Sequence, residues 1–296
     1  MLVDVHTHFY PPEYLRLLEE AAPQVKICTD RQGRRYLEWG GTRLATLTRP
    51  MVDLQERARL VAQHPATVQV LSLTSPNVYV FPPAEAVRAA RLANRAYAQI
   101  KDRYPDRFRA LASVPLGTGA ELEELDYAVS DLGLDGVVVG TTVGSRPLDD
   151  PLLQPFWERA NQLGLVVLLH PMGGLASPLL RDFSLVPLVG FPAETTVTLA
   201  RLAYSGFFQR YPRVKVVAPH AGGALPYLPV GPAGQGVRCV RGVRRMRPAS
   251  EPGPSSRVLR HRESLPTRAA LPAGGGGPAA GGVRFGLPAR HRRGGS

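Results

Sequence analysis

The chain has 296 residues, enough for one large α/β barrel or two ordinary domains, and its two cysteines, Cys28 and Cys239, imply no disulfide framework and a reducing, cytoplasmic setting. The N-terminal stretch carries Asp4 and no basic run, unlike a secretory signal, and no apolar run reaches the ~18 residues of a membrane span. The net charge of +12 points to nucleic acid only until it is located: residues 229–296 hold 13 Arg, no Lys and two acids, Glu251 and Glu263, so +11 of it sits in one tail and residues 1–228 are nearly neutral.

In chain order, residues 2–9 alternate as a first strand and end in His6-Thr7-His8. Alternation puts both imidazoles on one face, at the C-terminal end of the strand. An amphipathic helix is expected over Glu13–Glu20. Residues 23–52, with Gly33, Gly40, Gly41 and Pro50, read as an irregular insertion. Asp53 is placed to cap a helix running to about Gln63. Strand two is expected over 68–73. A loop with Pro76, Pro82 and Pro83 follows, then a long helix, Ala84–Tyr104.

Strand three is expected at 108–116, a helix at 120–132, strand four at 135–140, a helix at 151–163 and strand five at 165–170, ending in His170-Pro171. Another loop insertion covers 172–192. A helix at 194–211 and strand six at 214–218 then lead into Pro219-His220-Ala221-Gly222-Gly223. Six strand–helix alternations with near-continuous apolar strands argue a parallel α/β fold, which closes as a TIM-type barrel only if its strands continue round.

The active site of such a barrel lies at the strand C-terminal ends, where His6, His8, His170 and His220 all fall. His64 reads instead as a surface or cap residue. His261 and His291 lie in the tail. Three or four imidazoles at one mouth suit a zinc-type divalent ion, which lowers the pKa of bound water towards about 7. A histidine beside the ion but not bound to it can serve as general acid or base. Strand four ends in Gly140-Thr141-Thr142, with no lysine to bridge two metals, so one metal per chain is expected. The competing reading of His6 and His8 alone is a chance pair near an N-terminus.

The first strand with His6 and His8, the Leu169-His170-Pro171 strand end, the run Leu188–Thr196, Tyr211-Pro212-Arg213-Val214-Lys215-Val216 and His220-Ala221-Gly222-Gly223-Ala224 together resemble the amidohydrolase-related superfamily, and within it the aminocarboxymuconate-semialdehyde decarboxylase branch. The resemblance covers about residues 1–228. It implies a distorted (β/α)8 barrel holding one Zn2+, or another divalent ion, on His6, His8 and His170, with His220 as acid–base residue. It also implies decarboxylation of an unsaturated or aromatic carboxylate, a substrate-holding arginine in the first long loop (Arg43 or Arg49) and a possible homodimer. Hydrolysis of a lactone or cyclic amide is the alternative within the superfamily. Asn77, Tyr79 and Arg181 are further polar handles in the loops, and Glu194 reads as a capping residue.

The family's last metal ligand is an aspartate at the end of strand eight. The last aspartate in this chain is Asp182, ahead of strand six. From about Pro229 the pattern gives way to Arg, Gly, Pro, Ala and Ser, with Gly274–Gly277 in a row, so strands seven and eight are expected to be missing. Arginine without lysine is what a GC-rich gene read out of frame yields. A genuine disordered basic tail has the same composition. A nucleic-acid-binding arm fits less well, since Phe285 is the tail's only aromatic. Six strands leave two open edges and no carboxylate ligand, so weak metal binding, poor folding and little turnover, or a non-enzymatic product, are the expectation for the chain as written.

Overall fold

The computed structural model describes residues 2–65, 67–173, 178–180 and 182–228. The expectations for strands seven and eight, the tail from 229, Cys239 and Arg181 lie outside these residues.

The first strand, β1 (Leu2–His8), and helix α1 (Pro12–Ala21) form where the apolar pattern puts them. The insertion at 23–52 does not stay irregular. It folds into an antiparallel sheet of β2 (Val25–Thr29), β3 (Arg35–Trp39) and β4 (Thr42–Thr46), followed by a short helix α2 (Arg49–Val52). The glycines that read as breaks are its turn. Gly40 and Gly41 take φ of 57° and 75°, as a tight two-residue hairpin loop demands, and bring Trp39 opposite Thr42.

Helix α3 (Leu54–Ala62) starts where Asp53 accepts the Glu56 amide at 3.0 Å, and is followed by β5 (Thr67–Ser72) and α4 (Pro83–Arg103). Strand three is broken at Leu111 into β6 (Phe108–Ala110) and β7 (Ala112–Ser113). Leu111 bonds back to Leu71 while Ala112 bonds forward to Gly136, so the chain changes partner at one residue. Then come α5 (Glu121–Asp126), β8 (Val137–Gly140), a two-residue pair β9 (Thr142–Val143) and β10 (Arg146–Pro147), α6 (Gln154–Leu163) and β11 (Val166–His170). The expected helix over 194–211 is two: α7 (Phe191–Tyr204) and α8 (Phe207–Arg210), separated at Gly206 with φ 75°. Strand β12 (Lys215–Val217) is the last.

The barrel strands run β1, β5, β6/β7, β8, β11, β12, all parallel and each beside its neighbour in sequence. Among the described residues no strand pairs with the outer edge of β1 or of β12. The interior holds Val5, Val70, Leu111, Val138 and Leu168, all buried, with Val3 and Val217 half-buried against them. The larger apolar layer lies outside, between strands and helices, and includes Leu71, Ala110, Val139, Leu169 and Trp157.

Between Asp4 and Thr7 the β1 register slips against β5: Asp4 pairs with Gln69 and Thr7 with Leu71, so Val5 and His6 together face Val70. This is a β-bulge. In a regular strand Val3 and Val5 would share a face from which His6 and His8 point away. The bulge switches the parity, so the valines and the histidines all enter the barrel. Thr7 Oγ1 donates to the Val70 carbonyl at the bulge (2.9 Å).

Candidate metal centre

The four histidines meet at the C-terminal mouth. Ring centroids are 4.7 Å apart for His6–His8, 5.3 Å for His6–His170, 4.8 Å for His8–His170 and 5.3 Å for His6–His220. One ligand atom from each of His6, His8 and His170 lies within 4.8 Å of the others. Among the described residues no carboxylate joins this group. His170 is 2% exposed, and the other three are half-buried.

The hydrogen bonds assign the tautomers. His170 Nδ1 is 2.8 Å from the Pro171 carbonyl, which can only accept, so Nδ1 carries the proton and Nε2 the lone pair. Thr74 Oγ1 stands 3.0 Å from that Nε2. Ser72 Oγ donates to the Thr7 carbonyl and so accepts from His8 Nδ1 at 3.3 Å. Thr195 Oγ1 donates to the Phe191 carbonyl at 3.0 Å and accepts from His220 Nδ1 at 3.3 Å. Each of these three rings therefore keeps a basic Nε2. A metal-binding imidazole is held in the same way, its second nitrogen bonded to protein. The donor set fits a divalent ion.

Burial holds the His170 imidazole down at about 3, with neighbouring His220 adding to the shift and the Pro171 carbonyl opposing it. Burial, then His170 and His6, likewise lowers His8 well below 6.5. An unfolded chain takes up these protons near pH 6.5, whereas the folded chain does so only far lower. The stability from this source is whole above pH 6.5 and is lost as pH falls from 6.5 towards 3. For metal-free protein the slope is up to about 1.4 kcal/mol per pH unit for each of the two rings. Urea midpoints at pH 7.5 and 5.5 check this. Equal midpoints would mean that the rings are not held neutral.

The end of β8 leaves no room for a bridging lysine. A Cβ on Gly140 would stand 2.8 Å from Met172 Cγ and 3.1 Å from Tyr79 Cε2, so no lysine side chain has room there. Tyr79 fills the place over Gly140, its hydroxyl buried without a hydrogen-bond partner of standard geometry.

Glu194 does not cap its helix. It is 4% exposed, and its Oε2 accepts from Thr141 Oγ1 (2.7 Å) and from the Met172 amide (2.9 Å), tying the ends of β8 and β11 together beside His170. His220 sits in a left-handed turn: it and Ala221 have φ of 52°, and Gly223 has φ 63° and ψ −137°.

The two expected arginines are each engaged with a carboxylate. Arg43 pairs with Asp30 (3.2 Å), donates to Thr46 and lies over the Tyr36 ring, while Arg49 pairs with Asp53 and is 74% exposed. His64 is exposed, as expected. The supporting residues Ser72, Thr74 and Thr195 escaped sequence reasoning, although each lies within four residues of a strand end or in the Pro-Ala-Glu-Thr-Thr run.

Residues 3–241 match the family model described as amidohydrolase. The chain is 30% identical over 240 residues to the 2-amino-3-carboxymuconate-6-semialdehyde decarboxylase of Dictyostelium discoideum, covering 76% of this chain and 64% of the relative. It is 32% identical over 231 residues to a 6-methylsalicylic acid decarboxylase of Penicillium expansum, covering 76% and 65%. It thus spans just under two thirds of the length of these relatives. A dihydroxybenzoic acid decarboxylase from Polaromonas sp. JS666, solved with bound manganese and the inhibitor 2-nitroresorcinol, superposes with a TM-score of 0.62 at 28% identity, covering 77% of this chain and 68% of that one.

Proposed function

Since this chain belongs to the amidohydrolase family, among relatives that are decarboxylases, we propose that its mouth holds one divalent ion on His6, His8 and His170 and removes CO2 from an aromatic or unsaturated carboxylate with a neighbouring hydroxyl or amino group. The observation that carries this is the convergence of three imidazoles, two of them with Nδ1 committed to protein acceptors and Nε2 left basic. Three nitrogen donors suit zinc, and manganese is the ion in the Polaromonas relative.

When bound, the ion would supply Lewis acidity, drawing charge onto a substrate oxygen. The remaining chemistry is assigned to the protein. His220 in its protonated form gives the Nε2 proton to the carbon that bears the carboxylate. That carbon–carboxylate bond then breaks, its electron pair returns to the unsaturated system, and CO2 leaves. One proton is consumed and one CO2 released, with no organic cofactor. After transfer His220 is left as the Nδ1–H tautomer, the form that Thr195 accepts. A substrate carboxylate would be held by Arg43 or Arg49, either of which has to leave its present partner, Asp30 or Asp53, to reach it.

The test is incubation of the zinc- or manganese-loaded chain with 2,6-dihydroxybenzoate, 6-methylsalicylate and a panel of lactones and cyclic amides. CO2 release from an aromatic acid, lost in His220→Asn, is the expected result. Ring opening of a lactone without CO2, or no turnover of any compound, would refute the assignment.

A further inference from the structure

We infer that Arg57 is a positioning residue of the metal centre, an inference that rests on the metal-site reading above. Arg57 lies on α3 and is 6% exposed. Its guanidinium donates through Nε to the Pro50 carbonyl (2.7 Å), through Nη1 to Gln69 Oε1 (2.8 Å) and through Nη2 to the His8 carbonyl (2.5 Å). Its partners are thus three neutral oxygens, and Asp4 acts on it only through space. A desolvated cation without an adjacent anion is costly, and its hydrogen bonds have to repay that cost.

The reason lies in β1. Among the described residues β1 has one strand neighbour, β5, and its ladder to β5 is interrupted by the bulge at Val5–His6. Beyond the bulge the ladder resumes at Thr7–Leu71 and His8–Ser72, and the ligand-bearing end is further held by Thr7 Oγ1 on the Val70 carbonyl, by Ser72 Oγ on the Thr7 carbonyl, by the Phe9 amide on the Ser72 carbonyl (3.2 Å) and by Arg57. The direction of the His8 side chain follows from the peptide plane that carries its carbonyl. A planar fork joining that carbonyl to Gln69 of β5 and to Pro50 fixes the plane against two other segments at once. A lysine keeps the charge but is a point donor that cannot span the three oxygens.

The test is Co2+ titration of the full chain, read by visible absorption, for wild type, R57Q, R57K and Q69L, with circular dichroism as the check on fold. R57Q and R57K are expected to bind Co2+ between about 10- and 100-fold more weakly, with an altered band shape from a misdirected His8. Q69L, which removes one outer anchor of the fork but leaves the bond to the His8 carbonyl in place, is expected to weaken Co2+ binding less than R57Q does. A folded R57Q or R57K with wild-type affinity and spectrum would overturn the inference. So would an unfolded R57K, since Arg57 would then be holding the fold and not the ligand. Absence of any Co2+ band in the wild type is a different failure, one that removes the metal site itself.

Discussion

Replacing His170 with alanine is expected to abolish measurable binding of a divalent ion while leaving the six-stranded sheet folded. The loss should exceed the about 10- to 100-fold that removal of an outer-sphere partner costs, because a direct donor disappears from a set of three. His6 and His8 sit on one strand, and His170 is the donor from across the mouth, so the pair left behind cannot surround an ion. The structural cost is smaller. His170 packs at the top of β11, above an interior layer that does not include it, and the ladder from Val167 to Leu169 is unchanged. The acid limb of stability should also become shallower, because a ring that has to stay neutral is gone. Metal content after dialysis against zinc or manganese, with a urea melt on the same sample, checks both halves. Wild-type metal content in the variant would show that the ion sits elsewhere.

Replacing Gly223 with alanine is expected to dismantle the turn that presents His220. The backbone there, at φ 63° and ψ −137°, lies in a region open essentially to glycine alone, and occupying it with alanine costs about 1–3 kcal/mol. Sterics add to this, since the new Cβ would press on the Pro192 carbonyl and on Thr196 Oγ1 at the start of α7. Those atoms are fixed: Thr196 Oγ1 donates to the Pro192 carbonyl (2.7 Å) and accepts the Ala224 amide (2.8 Å). The turn has to move, and His220 moves with it, away from Thr195. Because the substitution touches no metal ligand, metal affinity should hold while decarboxylation is lost and the thermal midpoint drops. Unchanged turnover would show that His220 does not depend on this turn or is not the proton donor.

Much of this was legible in the chain itself. Short apolar runs ending in His6-Thr7-His8 and in His170-Pro171, separated by helix-period segments, mark a parallel α/β fold and the strand ends that carry its site, because strands covered on both faces are near-continuously apolar. The absence of a lysine at Gly140 is legible in the sequence, and the packing of Tyr79 and Met172 over that glycine shows that a side chain there has no room. The insertion at 23–52 reads as irregular because Gly33, Gly40 and Gly41 look like breakers. Val25–Thr29, Arg35–Trp39 and Thr42–Thr46 have strand-like composition, and Gly40-Gly41 is a hairpin turn. Glu194 reads as a cap because first-turn acids usually serve their own helix, whereas in the fold it reaches two strand ends.

Local periodicity and side-chain alternation are enough to read a parallel α/β fold, the strand ends that carry the chemistry and the four histidines at those ends, and the family resemblance adds the barrel. Only the tertiary structure decided that His6 and His8 enter the barrel alongside Val3 and Val5, because a bulge is a mismatch between two strands and leaves no trace in either alone. It likewise decided the tautomers of His8, His170 and His220. Their partners Ser72, Pro171 and Thr195 include two brought from other segments, and a hydrogen bond across 25 or 64 residues is a property of packing.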